Sequence, residues 1–146
     1  MKRLLFITAA LIIIFSNCSG GKSKSDTYNL REVNSEMAAT EIKLLYFHYT
    51  RRCVTCLNVE ENSKAAFEQL YKEKIERGEA NFKSLNLDDE QTQEIAKSLN
   101  VKGQALVVVV NGLKSDITAS AFLSSKNYEK IKAEIKKAAD NSLKIK

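Results

Sequence analysis

The 146-residue chain has no proline, one histidine and three cysteines. Each scarcity excludes something. Without proline no peptide bond is the tertiary amide that makes the cis form accessible, so an all-trans backbone is expected. Cys53, Cys56 and His48 are the only soft ligands available to a metal site built on the cysteine pair. That is one short of the four side chains a structural zinc ion usually takes. Nor do so few cysteines make a disulfide framework. The length nevertheless gives one domain room for a core that folds without crosslinks.

Charge of one sign is also sparse. The formal net charge is +5, and removing residues 1–17 takes away Lys2 and Arg3, which leaves 21 basic against 18 acidic side chains, or +3. Lysines scattered among glutamates at that balance read as solvated helix faces, so no nucleic-acid partner is expected.

A long apolar run is present only at the start. Lys2 and Arg3 precede the stretch Leu4 to Phe15, which is too short for a membrane span and has the layout of an export signal. The "FSNC" that follows resembles the lipobox of bacterial lipoproteins, although Phe15 and Asn17 stand where many lipoboxes carry leucine and glycine or alanine. That resemblance implies a signal peptide over 1–17, lipidation of Cys18 as the new N-terminus, and a lipoprotein anchored to membrane in the cell envelope, facing the periplasm. A cleaved signal with an incidental Cys18 is the alternative. Residues 18–27, rich in Gly, Ser and Lys, are predicted to be a flexible tether, and 28–146 the folded domain.

Within that domain Tyr28 to Thr40 is ambiguous between a short strand and a helical turn. "IKLLYFHY", Ile42 to Tyr49, is a nearly unbroken apolar run, as in a strand buried on both faces. From Cys53 to Arg77 the residues Val59, Ala66, Phe67, Leu70, Tyr71 and Ile75 recur at helical spacing, with Gly78 placed to end a helix. "NFKSLNL", 81–87, predicts a second strand, and Asp88 or Asp89 the cap of a helix with Ile95, Ala96 and Leu99 inside. "ALVVVV", 105–110, predicts another buried strand. Asn111-Gly112 then predicts a hairpin into "LKSDIT", and a last helix runs from about Asn127 to Asn141, burying Tyr128, Ile131, Ile135 and Ala138. Parallel strands come first and an antiparallel pair last, which makes an α/β fold around one central sheet.

The chemistry lies in "HYTRRCVTCLNVE", His48 to Glu60. A Cys-x-x-Cys pair can be a redox centre, a clip for a soft metal such as Cu(I) with His48 as a third ligand, or a static disulfide. The last closes almost no loop and would stabilise little. Cys53 at a helix N-terminus meets unpaired N–H groups and the helix dipole, and Arg51 and Arg52 directly before it add positive charge; all favour a thiolate. Cys56, one turn later, would resolve a mixed disulfide by attacking Cys53. His48 has the simpler reading of a core or edge histidine, and Tyr46, Phe47 and Tyr49 read as sheet core.

This pair, between a buried strand and a long helix, with "NLDDEQTQEIAKSLNVKGQALVVVVNG" downstream, resembles the thioredoxin superfamily over Ile42 to Asn141. "CVTCLNVE" is most similar to the C-terminal thioredoxin-like domain of transmembrane disulfide reductases, whose pattern falls on Cys53, Val54, Cys56 and Glu60. The resemblance implies a thioredoxin-like fold, a central mixed sheet flanked by helices. It favours Glu60 as proton acceptor for the resolving thiol over a solvated helix glutamate. It also marks departures. The family's cis-proline position falls on Ala105, or on Gln104, so substrate peptides are expected to dock differently. Phe47 stands where many thioredoxins bury an aspartate, and Val54-Thr55 replaces Gly-Pro between the cysteines.

The expectation is therefore a membrane-tethered thiol-disulfide oxidoreductase, a monomer without cofactor, acting as a reductant on protein disulfides and fed by a membrane electron donor. The alternative is a soft-metal delivery module using Cys53 and Cys56.

Overall fold

The computed structural model describes residues 40–144. The signal expected over 1–17, Cys18, the tether expected to residue 27 and the ambiguous segment 28–39 lie outside them. Strand β1, Ile42–His48, is the strand its composition predicts: Lys43 alone is partly exposed, paired with Glu41, and the other six side chains are buried. Side chains of a strand alternate between faces, so an apolar residue at nearly every position means that both faces are covered.

Both are. The remaining elements are α1, Val54–Glu76; β2, Ala80–Asn86; α2, Glu90–Ser98; β3, Ala105–Val110; β4, Leu113–Asp116; α3, Thr118–Leu123; and α4, Tyr128–Lys144. The sheet has strand order β2-β1-β3-β4, with β1 and β2 parallel, and β3 antiparallel to both β1 and β4. This is the mixed sheet of the thioredoxin-like fold. Ile42, Leu44 and Tyr46 of β1 and Leu106, Val108 and Val110 of β3 face α1, α3 and α4. Leu45, Phe47, Val107 and Val109 face Ile95 and Ala96 of α2 on the other side. Each fully buried Leu, Val or Phe contributes roughly 1.5–3 kcal/mol of transfer free energy, so the two faces of β1 and β3 hold most of the core.

Helix α1 buries Cys56, Val59, Ala66 and Phe67, with Leu70, Tyr71 and Ile75 half-buried against the same core. Its regular geometry is interrupted at Tyr71 (φ −123°, ψ 24°). At its end Gly78 takes φ +75°, its N–H reaches the Ile75 carbonyl at 3.0 Å, and the Glu79 N–H reaches the Lys74 carbonyl at 2.8 Å. That pair of bonds is the Schellman closure a glycine at this place allows. Asn111 (φ 50°) and Gly112 (φ 81°) make the predicted hairpin turn, both in the left-handed region a type I′ turn requires.

Three local expectations are corrected. The strand expected over 113–118 stops at Asp116, whose carboxylate accepts from the N–H (3.0 Å) and hydroxyl (2.6 Å) of Thr118 and so starts the short helix α3. Local side-chain bonds of this kind compete with the ladder. Asp89 occupies the N-cap position of α2 but makes no side-chain cap bond, and Asp88 accepts instead from the N–H of Thr50 at 2.8 Å. The last helix runs on to Lys144, its first turn capped by the Asn127 carboxamide oxygen, which accepts from the Lys130 N–H at 3.0 Å. No cis peptide bond occurs among the described residues, as the lack of proline predicts.

Candidate active site

The last residue of β1 and the first turn of α1 are joined by only five residues, Tyr49 to Cys53. Cys53 has extended backbone (φ −93°, ψ 166°) and is the N-cap of α1, so its carbonyl accepts the first helical bond, from Leu57 at 3.1 Å. A cap is usually Ser, Thr, Asp or Asn, whose oxygen satisfies an N–H of the first turn. Here sulfur takes that place: the Cys56 N–H points at Cys53 Sγ at 3.4 Å. Cys53 is exposed, Cys56 is buried, and both are free thiols. The spacing of three thus puts two sulfurs side by side, one open to a partner and one screened. Val54 and Leu57, each next to a cysteine in the chain, are exposed apolar side chains.

Burial pushes the Cys56 thiol up, but hydrogen bonds from the Cys53 side chain, the Gln104 amide and backbone N–H groups outweigh it, and its pKa lies below the ordinary thiol value.

The two arginines part ways. Arg51 stays exposed, while Arg52 turns inward: Nη1 pairs with Glu60 Oε2, and Nη2 lies 3.1 Å from His48 Nε2. Glu60 Oε1 accepts from the Ser84 hydroxyl of β2 at 2.5 Å. Glu60, expected to serve the resolving thiol, therefore has both oxygens engaged and is the counter-ion of Arg52. Parity places the group: Tyr46 and Ser84 are register partners on neighbouring strands, and Tyr46 packs on the α1 side. His48 is buried, with Nδ1 2.9 Å from the Tyr49 carbonyl. A carbonyl only accepts and a guanidinium only donates, which assigns the ring proton to Nδ1 and makes Nε2 the acceptor from Arg52. His48 is thus occupied on both nitrogens. Among the described residues no group of three or more His, Cys, Asp or Glu could hold a metal, so the three-ligand site with His48 is not assembled.

Two further residues at the pair were not singled out as polar contributors by sequence. Tyr46, read as plain core, is fully buried, yet its hydroxyl donates to the Cys56 carbonyl at 2.9 Å and accepts from Gln104 Nε2 at 2.9 Å. Desolvation holds the Tyr46 phenol above its usual pKa. The signal for Tyr46 was its hydroxyl on a doubly buried strand, since a buried phenol finds a partner. Gln104 shares its parity with Leu106, the register partner of Tyr46, and so comes to the same face. Ala105, the other residue aligned with the family's proline, is buried in the opposite core with Phe47. Phe47 itself is fully buried there and offers no proton acceptor.

The loop carrying Cys53 is braced from β2. Asn86 Nδ2 donates to Thr50 Oγ1 at 2.9 Å, and Asn86 Oδ1 accepts from the Asp88 N–H at 3.1 Å. The Thr50 bonds hold the exposed Asp88 carboxyl below its usual range.

No protein-family model matches the chain, and no curated protein sequence matches it. Among solved structures it is similar to the thioredoxin of Fasciola hepatica, at 20% identity over 68% of this chain and 83% of that one, with a TM-score of 0.45. At that distance a functional reading stands on the geometry of the site itself.

Proposed function

We propose that this protein is a thiol-disulfide oxidoreductase. One observation carries it: an exposed Cys53 caps α1 through its sulfur, against a buried Cys56 three residues on in the same helix. Cys53 as thiolate attacks a substrate disulfide, one substrate sulfur leaves and takes up a proton, and a mixed disulfide forms. Cys56 as thiolate then attacks Cys53, the second substrate sulfur leaves, and the Cys53–Cys56 disulfide holds the two electrons' worth of oxidation. Arg52, fixed by Glu60 and His48, holds the loop in place for both steps.

The export signal, Cys18 and the tether support a place for this chemistry at the envelope membrane, as a monomer acting on protein disulfides and reduced again by a membrane electron donor. The motif similarity to the transmembrane reductases favours reduction as its direction. Cys56→Ser, which can attack but not resolve, should accumulate mixed disulfides with disulfide-bonded proteins, visible as adducts that a reductant removes. Their absence, with Cys53 accessible to alkylation, would end this reading.

A further inference from the structure

His48 is the only histidine of the chain, and it ends β1 immediately before the loop Tyr49 to Cys53. Its neutral ring is committed on both sides: Nδ1–H donates to the Tyr49 carbonyl at 2.9 Å, and Nε2 accepts from Arg52 Nη2 at 3.1 Å. Tyr49 opens that loop and Arg52 directly precedes Cys53, so one buried ring ties both ends of it to the sheet. The groups around the ring decide what a second proton on it would do. Arg52 only donates, so it cannot stay bonded to a protonated Nε2. Glu60 of α1 has one oxygen paired with Arg52 and the other accepting from the Ser84 hydroxyl of β2 at 2.5 Å, so an imidazolium would compete with Arg52 for it. The Asp88 carboxylate, just after β2, accepts from the Thr50 N–H at 2.8 Å and acts on the ring through its charge. The Tyr46 ring lies 5.8 Å from the imidazole, its hydroxyl already engaged by the Cys56 carbonyl and Gln104. Glu60 and Asp88 supply counter-charge for an imidazolium, so the contact that gives way is the one between two cations, His48 and Arg52.

We propose that His48 is a positioning residue for the loop that presents Cys53, and that it makes this presentation sensitive to pH: the neutral ring latches Arg52, and a proton at Nε2 releases it. This rests on the oxidoreductase reading above. An imidazole changes charge between about pH 5 and 8, within the range an exchange protein can meet. Arg52 is joined in the chain to Cys53, the N-cap of α1. Once the arginine loses its hold on β1, the cap residue is held less firmly, the bonds from the Cys56 and Leu57 N–H groups to Cys53 loosen, and attack by the sulfur on a disulfide slows. No bond is made or broken in the latch itself; Nε2 takes one proton from solvent and returns it as pH rises.

The test follows amide-proton exchange in the reduced full chain against pH, alongside the imidazole NMR signals, which a single histidine makes unambiguous. As the ring becomes charged, protection of the Cys56 and Leu57 N–H groups, which bond to Cys53 Sγ and the Cys53 carbonyl, should fall relative to the amides of β1. The fall should be roughly threefold to tenfold, the loss of one hydrogen bond to a charged group, discounted for the partial exposure of Arg52. His48→Gln, whose carboxamide accepts from Arg52 but takes up no proton, should keep the higher protection at every pH. His48→Leu should show the lower protection throughout, without a step; where it does not fold, His48→Gln decides alone. In a chain carrying Cys18→Ser and Cys56→Ser, Cys53 is the only thiol, and its rate of attack on a small aromatic disulfide, per thiolate, should fall over the same pH range. A parent profile without a step, the same step in His48→Gln, or a rate per thiolate that ignores the step would overturn the inference. The protection measurement contains no substrate, so its failure is separate from failure of the oxidoreductase reading, which the mixed-disulfide experiment decides.

Discussion

The two ends of α1 solve the same problem in opposite ways. At the C-terminus the free carbonyls are closed by Gly78 and Glu79, and the Glu79 carboxylate is held by Arg77 (2.8 Å) and Lys74 (3.2 Å). The carbonyls of Glu73, Lys74 and Ile75 and the carboxylate of Glu79 each have a partner there. At the N-terminus the cap is a thiol, a weak acceptor at 3.4 Å, left in the open, while the nearby Arg52–Glu60 pair braces the loop without covering it. One end is built for stability. The other gives up a good cap to present a sulfur that can react, and that contrast separates a functional helix terminus from a structural one.

Cys53→Ser has the largest expected effect and splits the two properties cleanly. Serine is a strong N-cap, so the variant should be as stable as the parent or gain up to about 1 kcal/mol in thermal unfolding, while losing disulfide exchange altogether. A loss of both would mean that Cys53 is a structural cap. At the other end Gly78→Val forces a β-branched residue into positive φ. It should cost about 1–2 kcal/mol and lower the melting temperature by several degrees, leaving the exchange rate intact. Glu60→Gln removes the counter-ion of Arg52, whose side chains are only partly exposed. Unfolding should become easier by about 1 kcal/mol, and exchange should slow as the loop loosens.

The smallest effect is a pH dependence. Hydrogen bonds from Arg77 and then Lys74 push the Glu79 carboxyl down to about 2. A carboxyl depressed by folding adds stability above its unfolded value and loses that contribution as pH falls from there toward about 2. The melting temperature should therefore fall less steeply with acid in Glu79→Gln than in the parent. Asp88→Asn should flatten the same slope at the N-terminal end, because Thr50 holds the Asp88 carboxyl low in the same sense. Parallel acid slopes in all three chains would show that neither contact matters to stability.

Much of the scaffold was legible because it is periodic. The unbroken apolar run of Ile42 to His48, the helical spacing after Cys53 and the positive-φ residues at Gly78 and Asn111-Gly112 each state a local rule, and the fold follows them. The cysteine pair was legible for the same reason, since a spacing of three on a helix start is a local fact. What could not be read are the contacts that join distant segments. Gln104 lies 58 residues from Tyr46, and Ser84 lies 24 from Glu60, so their meeting depends on sheet register and on which face each side chain takes. Arg52 illustrates the limit: its charge beside the cysteine was visible, but its turn away toward Glu60 and His48 was not. Helix α3 was missed because a single aspartate, Asp116, ends the ladder through bonds to Thr118 that strand patterning does not register.

Cys53 and Cys56 are proposed to exchange disulfides, with Cys53 attacking. Reduction of insulin disulfides by the reduced full chain, compared with its Cys53→Ser form under the same electron supply, tests it most directly. Turnover is expected from the parent and none from Cys53→Ser, with both chains equally folded; equal turnover in the two would contradict Cys53 as the attacking thiol.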